Sequence, residues 1–298
     1  METVLSIKNL TKKYGRLKAV NNLSLDVQRG NVFGILGPNG SGKTTTLGII
    51  LDVINKSEGE YYWFGEAPRK EHRAKIGAIL ETPIFYPYLS ATKNLEIVAS
   101  IKQVPFERID LVLKKVDLYE RKDDKFRTYS LGMKQRLSIA SALLCDPVVM
   151  ILDEPTNGLD PQGIAEIRQL IIDIAKEGKT IILASHLLDE VQKVCSHFAV
   201  LKKGTMIYTG LVEDVTKGSE TVELQSDSTK LESTLDAYQG LKSKNSENGK
   251  WVVSLQDGHN SETLNQYLFE NGIVVSHLVT QKKSLEKQFL EVLAAAEN

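Results

Sequence analysis

This 298-residue sequence has few cysteines and no long apolar run. Its two cysteines, Cys145 and Cys195, form no CxxC pair, so we expect neither a disulfide framework nor a cysteine-based metal site. No run of about 18 apolar residues occurs, and the first residues lack the basic and apolar regions of a signal peptide. We therefore expect a protein of the reducing cytosol that does not itself cross a membrane.

An excess of one charge is also missing. The sequence has 37 lysines and arginines against 38 aspartates and glutamates, a net charge of −1, which gives no indication of nucleic-acid binding. A content of 42% hydrophobic and 25% charged residues is that of an ordinary globular protein. The length allows about two domains, so the function has to be sought in local motifs.

Short apolar runs alternate with helical patterns over the first two-thirds of the chain. The runs at Val32–Leu36, Val148–Leu152 and Thr180–Ala184 are continuously apolar, which is typical of strands buried on both faces of a parallel sheet. The pattern predicts an α/β domain at 1–217, with an all-helical insertion at about 83–146. The other predicted strands are Ser24–Val27, Tyr61–Phe64, Ile76–Leu80 and Ala199–Leu201, and the helices of the insertion are Ala91–Lys102, Phe106–Val116 and Leu131–Leu144.

The composition changes after Gly210, and the stretch Gly218–Ser233, rich in Ser, Thr and charge, predicts a domain boundary near residue 218. Beyond it, the alternation of strand and helix patterns predicts a small C-terminal α/β domain at 218–298. Its predicted strands are Thr221–Leu224, Trp251–Leu255 and Ile273–Val279, and its predicted helices are Leu231–Tyr238, Glu262–Glu270 and Leu285–Ala296. We expect the polar segment Ser243–Lys250 to be a connecting loop.

A phosphate-binding loop follows the apolar run at Val32–Leu36. Residues 37–44, GPNGSGKT, match the pattern GxxxxGK[ST] and precede an apolar stretch with helical spacing, as this motif requires. Lys43 is expected to reach the β- and γ-phosphates of ATP, and the Thr44 hydroxyl to ligate Mg²⁺. The residues expected to hold the phosphates are Gly37, Pro38, Asn39, Gly40, Ser41, Gly42, Lys43, Thr44 and Thr45.

Two adjacent carboxylates, Asp153 and Glu154, end another of the apolar runs. Ligands bind at the carboxyl ends of strands in open α/β sheets. We expect Asp153 to anchor Mg²⁺ through water and Glu154 to polarise the water that attacks the γ-phosphate. His186 follows the run at Thr180–Ala184 in the same way, and we expect it to hydrogen-bond the γ-phosphate.

With one further segment, these motifs resemble the nucleotide-binding subunit of ATP-binding cassette (ABC) transporters. The segment Tyr129–Arg136, YSLGMKQR, lies upstream of the acidic pair and is similar to the family's LSGGQxQR signature. The resemblance covers about residues 3–215, and its order of P-loop, signature, Glu154–Pro161 and His186 is specific to this family. It implies a P-loop NTPase cassette with a mixed β-sheet core.

The family mechanism implies that two cassettes close head to tail, so that each ATP lies between the P-loop of one chain and the signature of the other. Ser130 and Gly132 would contact the γ-phosphate bound by the partner, and Asp160 would lie at the dimer interface. Tyr14 matches the position at which the family stacks adenine. One chain would then be half of a Mg²⁺-dependent ATPase, in a homodimer or with a second ATP-binding subunit.

The sequence departs from the family pattern within the signature and at Glu81. The signature has Leu131 where the first Gly is usual, and Met133 where Gln is usual. Glu81 stands where the family has Gln, and an acidic side chain can bind Mg²⁺ directly but donates no hydrogen bond. With Glu at this position, the sequence resembles the ATPases of bacitracin-resistance, lantibiotic-immunity and gliding-motility exporters. The alternative is a neutral replacement of Gln by Glu.

The resemblance implies that the segment Thr82–Leu95 belongs to the surface that binds the membrane subunit. Phe85, Tyr86 and Tyr88 are expected either to receive a helix of that subunit or to pack inside the helical insertion. The ending Ser284–Glu291, SLEKQFLE, is similar to that of exporter ATPases of the ABC-2 type. The resemblance thus implies a peripheral protein at the cytoplasmic face of the membrane that drives export through a separate ABC-2-type permease.

Two other functions are weighed against this one. A cassette acting in translation or DNA repair without a membrane partner is disfavoured, because the chain has one cassette and no sustained heptads between Thr44 and Ser130. A catalytically inactive ATP-gated switch is disfavoured, because the complete set of catalytic residues is present. This hypothesis would be favoured again if Glu81 abolishes turnover. The substrate is chosen by the membrane subunit, so peptide antibiotics, lipids, polysaccharides and drugs all stay open.

Overall fold

The computed structural model describes residues 2–80, 84–216, 221–247, 250–256 and 258–281. The chain divides into two compact units, Met1–Gly210 and Leu211–Asn298. The predicted boundary near residue 218 lies outside the described residues, and a division there stays a prediction. Among the described residues, no helix combines the length and the apolar character that crossing a bilayer requires.

Two β-sheets form the centre of the larger unit. The strands up to residue 211 are β1 (Thr3–Tyr14), β2 (Leu17–Gln28), β3 (Val32–Leu36), β4 (Glu58–Trp63), β5 (Ile76–Ile79), β6 (Val149–Asp153), β7 (Thr180–Ser185), β8 (His197–Lys202) and β9 (Thr205–Leu211). One sheet has the order β5-β6-β7-β3-β8-β9 and the other the order β2-β1-β4. Strands β5, β6, β7, β3 and β8 pair in parallel, whereas β1 pairs antiparallel with both neighbours, so the predicted mixed β-sheet core is confirmed.

A continuous hydrophobic core joins the two sheets. Leu5, Ile7 and Trp63 enter it from the antiparallel sheet, and Ile35 and Ile182 enter it from the parallel sheet. Strands β3, β6 and β7 are buried along their whole length. Their continuous apolar runs therefore reflect burial on both faces, as the sequence predicts.

The register of the parallel strands positions the functional loops. Leu36 at the end of β3 lies opposite Ser185, and Asp153 at the end of β6 lies opposite Ala184. Because these strands run in the same direction, the loops that follow them leave from one edge of the sheet. The phosphate loop, the acidic pair and His186 are brought together there.

Helices fill the insertion between β5 and β6, as predicted. The helices up to residue 216 are α1 (Lys43–Ile50), α2 (Lys70–Ala74), α3 (Ala91–Lys102), α4 (Glu107–Lys115), α5 (Leu131–Leu143), α6 (Pro161–Lys176), α7 (Leu188–Val194) and α8 (Val212–Thr216). Helix α5 begins at Leu131, directly after the signature serine. Leu95 of α3, Leu113 of α4 and Leu137 of α5 are fully buried, which gives the insertion apolar packing of its own.

The smaller unit contains a four-stranded antiparallel sheet. Its elements are β10 (Thr221–Gln225), α9 (Leu231–Asp236), β11 (Leu241–Glu247), β12 (Lys250–Leu255), α10 (Ser261–Glu270) and β13 (His277–Gln281), and the strand order is β11-β12-β10-β13. The β-α-β-β-α-β sequence of elements is that of a ferredoxin-like unit. Val222, Leu235, Val253 and Leu264 meet in its core.

Two predictions for this unit are wrong. The segment Ser243–Lys250 is not a loop, because its first part belongs to β11, with Asn245 opposite Val252. This is an edge strand, and its polar side chains are compatible with exposure to solvent. The predicted strand Ile273–Val279 begins only at His277, since Ile273, three residues after the end of α10, is buried and packs in the core. The helix predicted at Leu285–Ala296 and the ending Ser284–Glu291 lie outside the described residues.

Candidate nucleotide-binding and catalytic site

At two positions of the phosphate loop, only glycine fits the backbone and its surroundings. Gly42 has φ +106°, and a Cβ atom there would lie 2.4 Å from the carbonyl oxygen of Ala19. A Cβ atom at Gly37 would lie 2.4 Å from the carbonyl oxygen of Leu201. The loop is therefore held closely against neighbouring backbone, which is why the motif needs glycine at these positions.

The loop leaves polar groups available for an anion. Helix α1 starts at Lys43, and no side chain caps its first turn. Ser41 Oγ is buried and has no hydrogen-bond partner among the described residues. A buried hydroxyl without a partner is costly, and uncapped N–H groups at a helix start attract phosphate. Both features fit the predicted cradle for phosphate.

Lys43 lies over the loop rather than in solvent. Its Nζ donates hydrogen bonds to the carbonyl oxygens of Gly37, at 2.7 Å, and Pro38, at 3.4 Å. The same Nζ is 3.2 Å from Oε1 of Glu154. The ammonium group thus stands between the loop and the acidic pair, where a phosphate chain would meet both.

Two of the three oxygen donors predicted for Mg²⁺, Thr44 and Asp153, touch each other. The Thr44 hydroxyl donates a hydrogen bond of 2.7 Å to Oδ2 of Asp153. Asp153 is buried at the end of β6, next to the phosphate loop. A hydroxyl and a carboxylate are donors that Mg²⁺ accepts together with waters and phosphate oxygens. The residues present therefore fit the ion.

Glu154 and His186 are in hydrogen-bond contact in the site. Oε2 of Glu154 is 2.8 Å from Nδ1 of His186, and the His186 backbone N–H donates to the same oxygen at 3.3 Å. Glu154 has φ +48°, a left-handed conformation that is uncommon for a residue with a side chain. The structure thus brings Lys43, Glu154 and His186 together, from three different loops.

A cavity of about 530 Å³ opens beside these groups. Tyr14 lines one side of it with a half-exposed ring, over which Lys12 Nζ lies at 4.8 Å from the ring centroid. The predicted residues that line this cavity are Tyr14, Asn39, Gly40, Gly42, Lys43, Thr44, Thr45 and Glu154. The cavity is also lined by residues that belong to no motif and that the sequence does not predict: Leu17, Lys18, Ala19 and Lys203.

The signature residues line a different cavity, of about 390 Å³. Ser130, Gly132 and Asp160 meet there, and the two cavities have no lining residue in common. Ser130 also caps α5, because its side chain accepts a hydrogen bond from the Met133 N–H, and Asp160 caps α6 in the same way. Within one chain, these three residues are therefore grouped with each other and not with the phosphate loop.

Leu131, which departs from the family signature, lies against the loop before α6. A Cβ atom at Gly158 would lie 3.2 Å from Cδ2 of Leu131. Leu131 is 42% exposed, so it also faces the opening of the signature cavity. The departure adds an apolar contact between the signature and its neighbouring loop.

Glu81, predicted to ligate Mg²⁺, lies outside the described residues, as do Thr82 and Pro83. The aromatic residues that follow divide between two environments. Phe85 is partly buried, and its ring packs edge-on against Phe126 at 5.2 Å between ring centroids. Tyr86 and Tyr88 are 50% and 63% exposed.

Comparison with known proteins agrees with the geometry. The family model described as ABC transporter matches residues 20–157. The uncharacterized ABC transporter ATP-binding protein YhcH of Bacillus subtilis is 46% identical over 72% of each chain. The bacitracin transport ATP-binding protein BcrA of Bacillus licheniformis is 36% identical over 98% of each chain. The lantibiotic transport ATP-binding protein SrtF of Streptococcus pyogenes is 38% identical over 74% of this chain and 94% of its own.

Solved structures give the same result for the larger unit. The structure of cbiO1 from Clostridium perfringens, part of the ABC transporter complex cbiONQ, matches with a TM-score of 0.66 and 31% identity over 72% of this chain and 91% of its own. The ATP-binding cassette MJ0796, in a dimeric post-hydrolysis state bound to ADP and Pi, matches with a TM-score of 0.62 and 28% identity over 70% of this chain and 98% of its own.

Fold and site together define a P-loop nucleotide-binding cassette. The chain belongs to the ABC transporter family, as an ATP-binding subunit, and it is an ATP hydrolase.

Proposed function

We propose that this subunit drives export through a separate ABC-2-type permease, at the cytoplasmic face of the membrane. Two copies close head to tail around Mg²⁺-ATP, and hydrolysis opens them again. The observation that carries the catalytic part is the position of the Glu154 carboxylate between Lys43 Nζ and the His186 ring. The export part is supported by the relatives named for bacitracin and lantibiotic transport.

Each side chain of the site has a distinct part in this reaction. Lys43 and the loop N–H groups bind the phosphates and offset the charge that develops during transfer. Glu154 orients and polarises the attacking water, and His186 holds the γ-phosphate region while it contacts Glu154. Thr44 and Asp153 would hold Mg²⁺, which would supply positive charge to offset that of the phosphates.

The separation of the two cavities supports a site shared between chains. The cavity of the phosphate loop has no signature residue in its lining, and the signature cavity has no residue of the phosphate loop. Ser130 and Gly132 stand at the start of α5, where N–H groups attract a phosphate. In a head-to-tail pair, these groups would face the γ-phosphate that the partner subunit binds.

The test of the catalytic part is ATP turnover as a function of protein concentration, for the native chain and for Glu154→Gln. We expect turnover of the native chain to rise more than linearly with concentration, because two chains form each site. Glu154→Gln should still bind ATP and dimerise, but its turnover should fall by about 10²- to 10⁴-fold, since the amide cannot accept a proton from water.

Glu177→Gln is the matched control for this experiment. Glu177 is a half-exposed glutamate that pairs with Lys115, outside the site, so its replacement should leave turnover unchanged. Equal turnover in the native chain and in Glu154→Gln would contradict the proposed role of Glu154. Turnover that is strictly linear in protein concentration, in a chain shown to be monomeric, would contradict the shared site.

The transport part has its own assay. Co-expression of this chain with an ABC-2-type permease in a sensitive bacterium should raise resistance to bacitracin or to a lantibiotic, the peptide antibiotics named by its relatives. Co-expression of Glu154→Gln should give none of this resistance. Equal resistance with either chain would contradict ATP-driven export.

A further inference from the structure

A buried glutamate outside the known motifs lies behind the catalytic loops. Glu190, in the first turn of α7, is 3% exposed. It accepts a hydrogen bond from the Thr156 hydroxyl through Oε1 and one of 2.8 Å from the Ser185 hydroxyl through Oε2. Thr156 and Ser185 are themselves buried. A buried carboxylate is unfavourable unless such donors satisfy it, so this arrangement requires all three groups.

One hydroxyl donor lies in the loop of Glu154, and the other ends β7, where the loop that carries His186 begins. Thr156 follows Glu154 by two residues, and Ser185 directly precedes His186. The Thr156 carbonyl accepts a hydrogen bond from the Leu159 N–H at 3.1 Å, and Ser185 Oγ accepts one from the Leu187 N–H at 3.0 Å. Glu190 therefore joins the turns of both loops through one carboxylate.

The surroundings of Glu190 exclude solvent from its two hydrogen bonds. Burial raises the pKa of the Cys195 thiol, and the charge of Glu190 raises it further. Water does not compete for the carboxylate in such an environment, so its hydrogen bonds are stronger than at the surface. The neighbouring Asp189 differs, because its exposed side chain pairs with Arg168 and Lys193.

We propose that Glu190 is a positioning residue, which holds the loop of Glu154 and the loop of His186 in one fixed relation. The inference rests on the proposed roles of Glu154 and His186. The contact of 2.8 Å between these two side chains depends on both loops, and the hydrogen bonds that Glu190 accepts come from Thr156 and Ser185 beside them. Small displacements of reacting groups lower rates strongly, whereas the phosphate loop, which binds the phosphates of ATP, is not one of the two linked loops. Loss of the link should thus lower kcat and leave the KM for ATP nearly unchanged.

The first experiment measures kcat and KM for ATP hydrolysis by the full chain. Glu190→Gln replaces one of the two acceptor oxygens with an amide nitrogen, and Thr156→Val removes one of the two hydroxyl donors. Each should lower kcat by about 10- to 100-fold, with a KM within about twofold of native. Thr156→Ser keeps the hydroxyl and should restore native kcat. Asp189→Asn is the matched control on the same helical turn and should leave both constants unchanged.

The second experiment needs no turnover. Hydrogen–deuterium exchange of the chain without nucleotide should show faster exchange in Glu190→Ala than in the native chain, both at residues 154–160 and at residues 185–188. Exchange in β10 and β12 should not change, because these strands belong to the other unit. In Asp189→Asn, exchange at both loops should equal that of the native chain.

The outcomes separate this inference from the proposed function. Native kcat in Glu190→Gln and Thr156→Val would overturn it, as would faster exchange in only one of the two loops. Equal loss of kcat and of ATP affinity in all variants, Thr156→Ser included, would reveal general destabilisation and would also overturn it. If Glu154→Gln keeps its turnover, the catalytic proposal fails, while the exchange measurement still decides whether Glu190 couples the loops.

Discussion

The left-handed backbone of Glu154 is the feature that sets the geometry of the site at the scale of single residues. Its φ of +48° turns the chain sharply after β6, and its N–H bonds to the carbonyl oxygen of Ala184 at 2.9 Å. Such conformations persist where surrounding contacts hold them, and they are frequent at functional sites. Asp153 consequently faces Thr44, whereas Glu154 faces Lys43 and His186.

Gly42 yields a prediction about the phosphate loop. Gly42→Ala places a methyl group against the Ala19 carbonyl in a left-handed backbone, so ATP affinity should fall at least about tenfold and stability by about 1–3 kcal/mol. Gly30→Ala is the control, because Gly30 also has positive φ but has open space around it. It should lose about 1 kcal/mol and keep its affinity for ATP. Calorimetric titration and thermal unfolding of both variants measure this, and equal ATP affinity in the two would contradict it.

Single residues differ in how far the sequence predicts them. Lys43, Thr44 and Glu154 were predicted because a motif fixes both their spacing and their chemistry, and the structure brings them together. Glu190 was not predicted, since a glutamate in the first turn of a helix is typical of an exposed position near the helix start. Only its 3% exposure and its two hydroxyl donors distinguish it.

The signature helix α5 combines a structural and a proposed binding role at the scale of elements. Ser130 satisfies the N–H of Met133, so α5 starts at a fixed residue and presents Gly132 at the opening of the signature cavity. Helix α3 starts in the same way, where the Ser90 side chain accepts a hydrogen bond from Lys93 N–H. The two caps are alike, but only one of them lies in a proposed ligand site.

Substitution of these two capping serines distinguishes an effect on the stability of the chain from an effect on ATP binding. Ser130→Ala and Ser90→Ala should each lower the free energy of unfolding by about 1 kcal/mol, because each loses a helix cap. Only Ser130→Ala should also lower ATP turnover, since only its hydroxyl would face the partner's γ-phosphate. Chemical denaturation and turnover of both variants test this. A similar loss of turnover in Ser90→Ala would assign the effect to stability alone.

Tyr129, next to the signature, gives a pH-dependent prediction. Burial, and to a lesser extent the charge of Asp124, raise the pKa of Tyr129 from 10.0 to about 12. A raised pKa in the folded chain means that its contribution is complete below pH 10 and is lost as the pH rises toward 12. Stability should fall over this window by on the order of 1–2 kcal/mol because of this group.

Tyr129→Phe isolates that contribution. The variant loses the hydrogen bond of 2.6 Å to the Arg121 carbonyl, so it should be less stable than the native chain at pH 7. Between pH 10 and 12 its stability should depend less steeply on pH, because one ionising group is removed. Denaturant unfolding at several pH values measures both slopes, and parallel slopes would contradict the prediction.

Elements also differ in how far the sequence predicts them. β3, β6 and β7 were predicted, because burial on both faces leaves a continuous apolar run. β1 was not predicted, since register shifts interrupt its pairing with β2 and its exposed positions are polar. The sequence predicts a loop over most of β11 for a related reason, because β11 is an edge strand with polar side chains. Pairing partners far away in the sequence define such strands, and no local pattern contains them.

At the scale of the whole molecule, the chain has the parts of an ATPase in two separate places. The phosphate loop, Glu154 and His186 meet at one edge of the parallel sheet. Ser130, Gly132 and Asp160 line another cavity, which shares no residue with the first. The motifs predict each group from local spacing, but their separation follows from the tertiary fold and is visible only in the structure. A head-to-tail pair would complete two sites at once.

A mixing experiment tests this central claim most directly. Glu154→Gln damages the half-site of the phosphate loop. Gly132→Asp would place a negative charge in the other half, at a position where an added Cβ atom would lie 4.0 Å from Cδ2 of Leu159. Each variant alone should be inactive. An equimolar mixture should recover about a quarter of the native ATP turnover, because half of the dimers are mixed and each has one intact site. A mixture as inactive as its components, although both variants bind ATP and dimerise, would contradict the shared site.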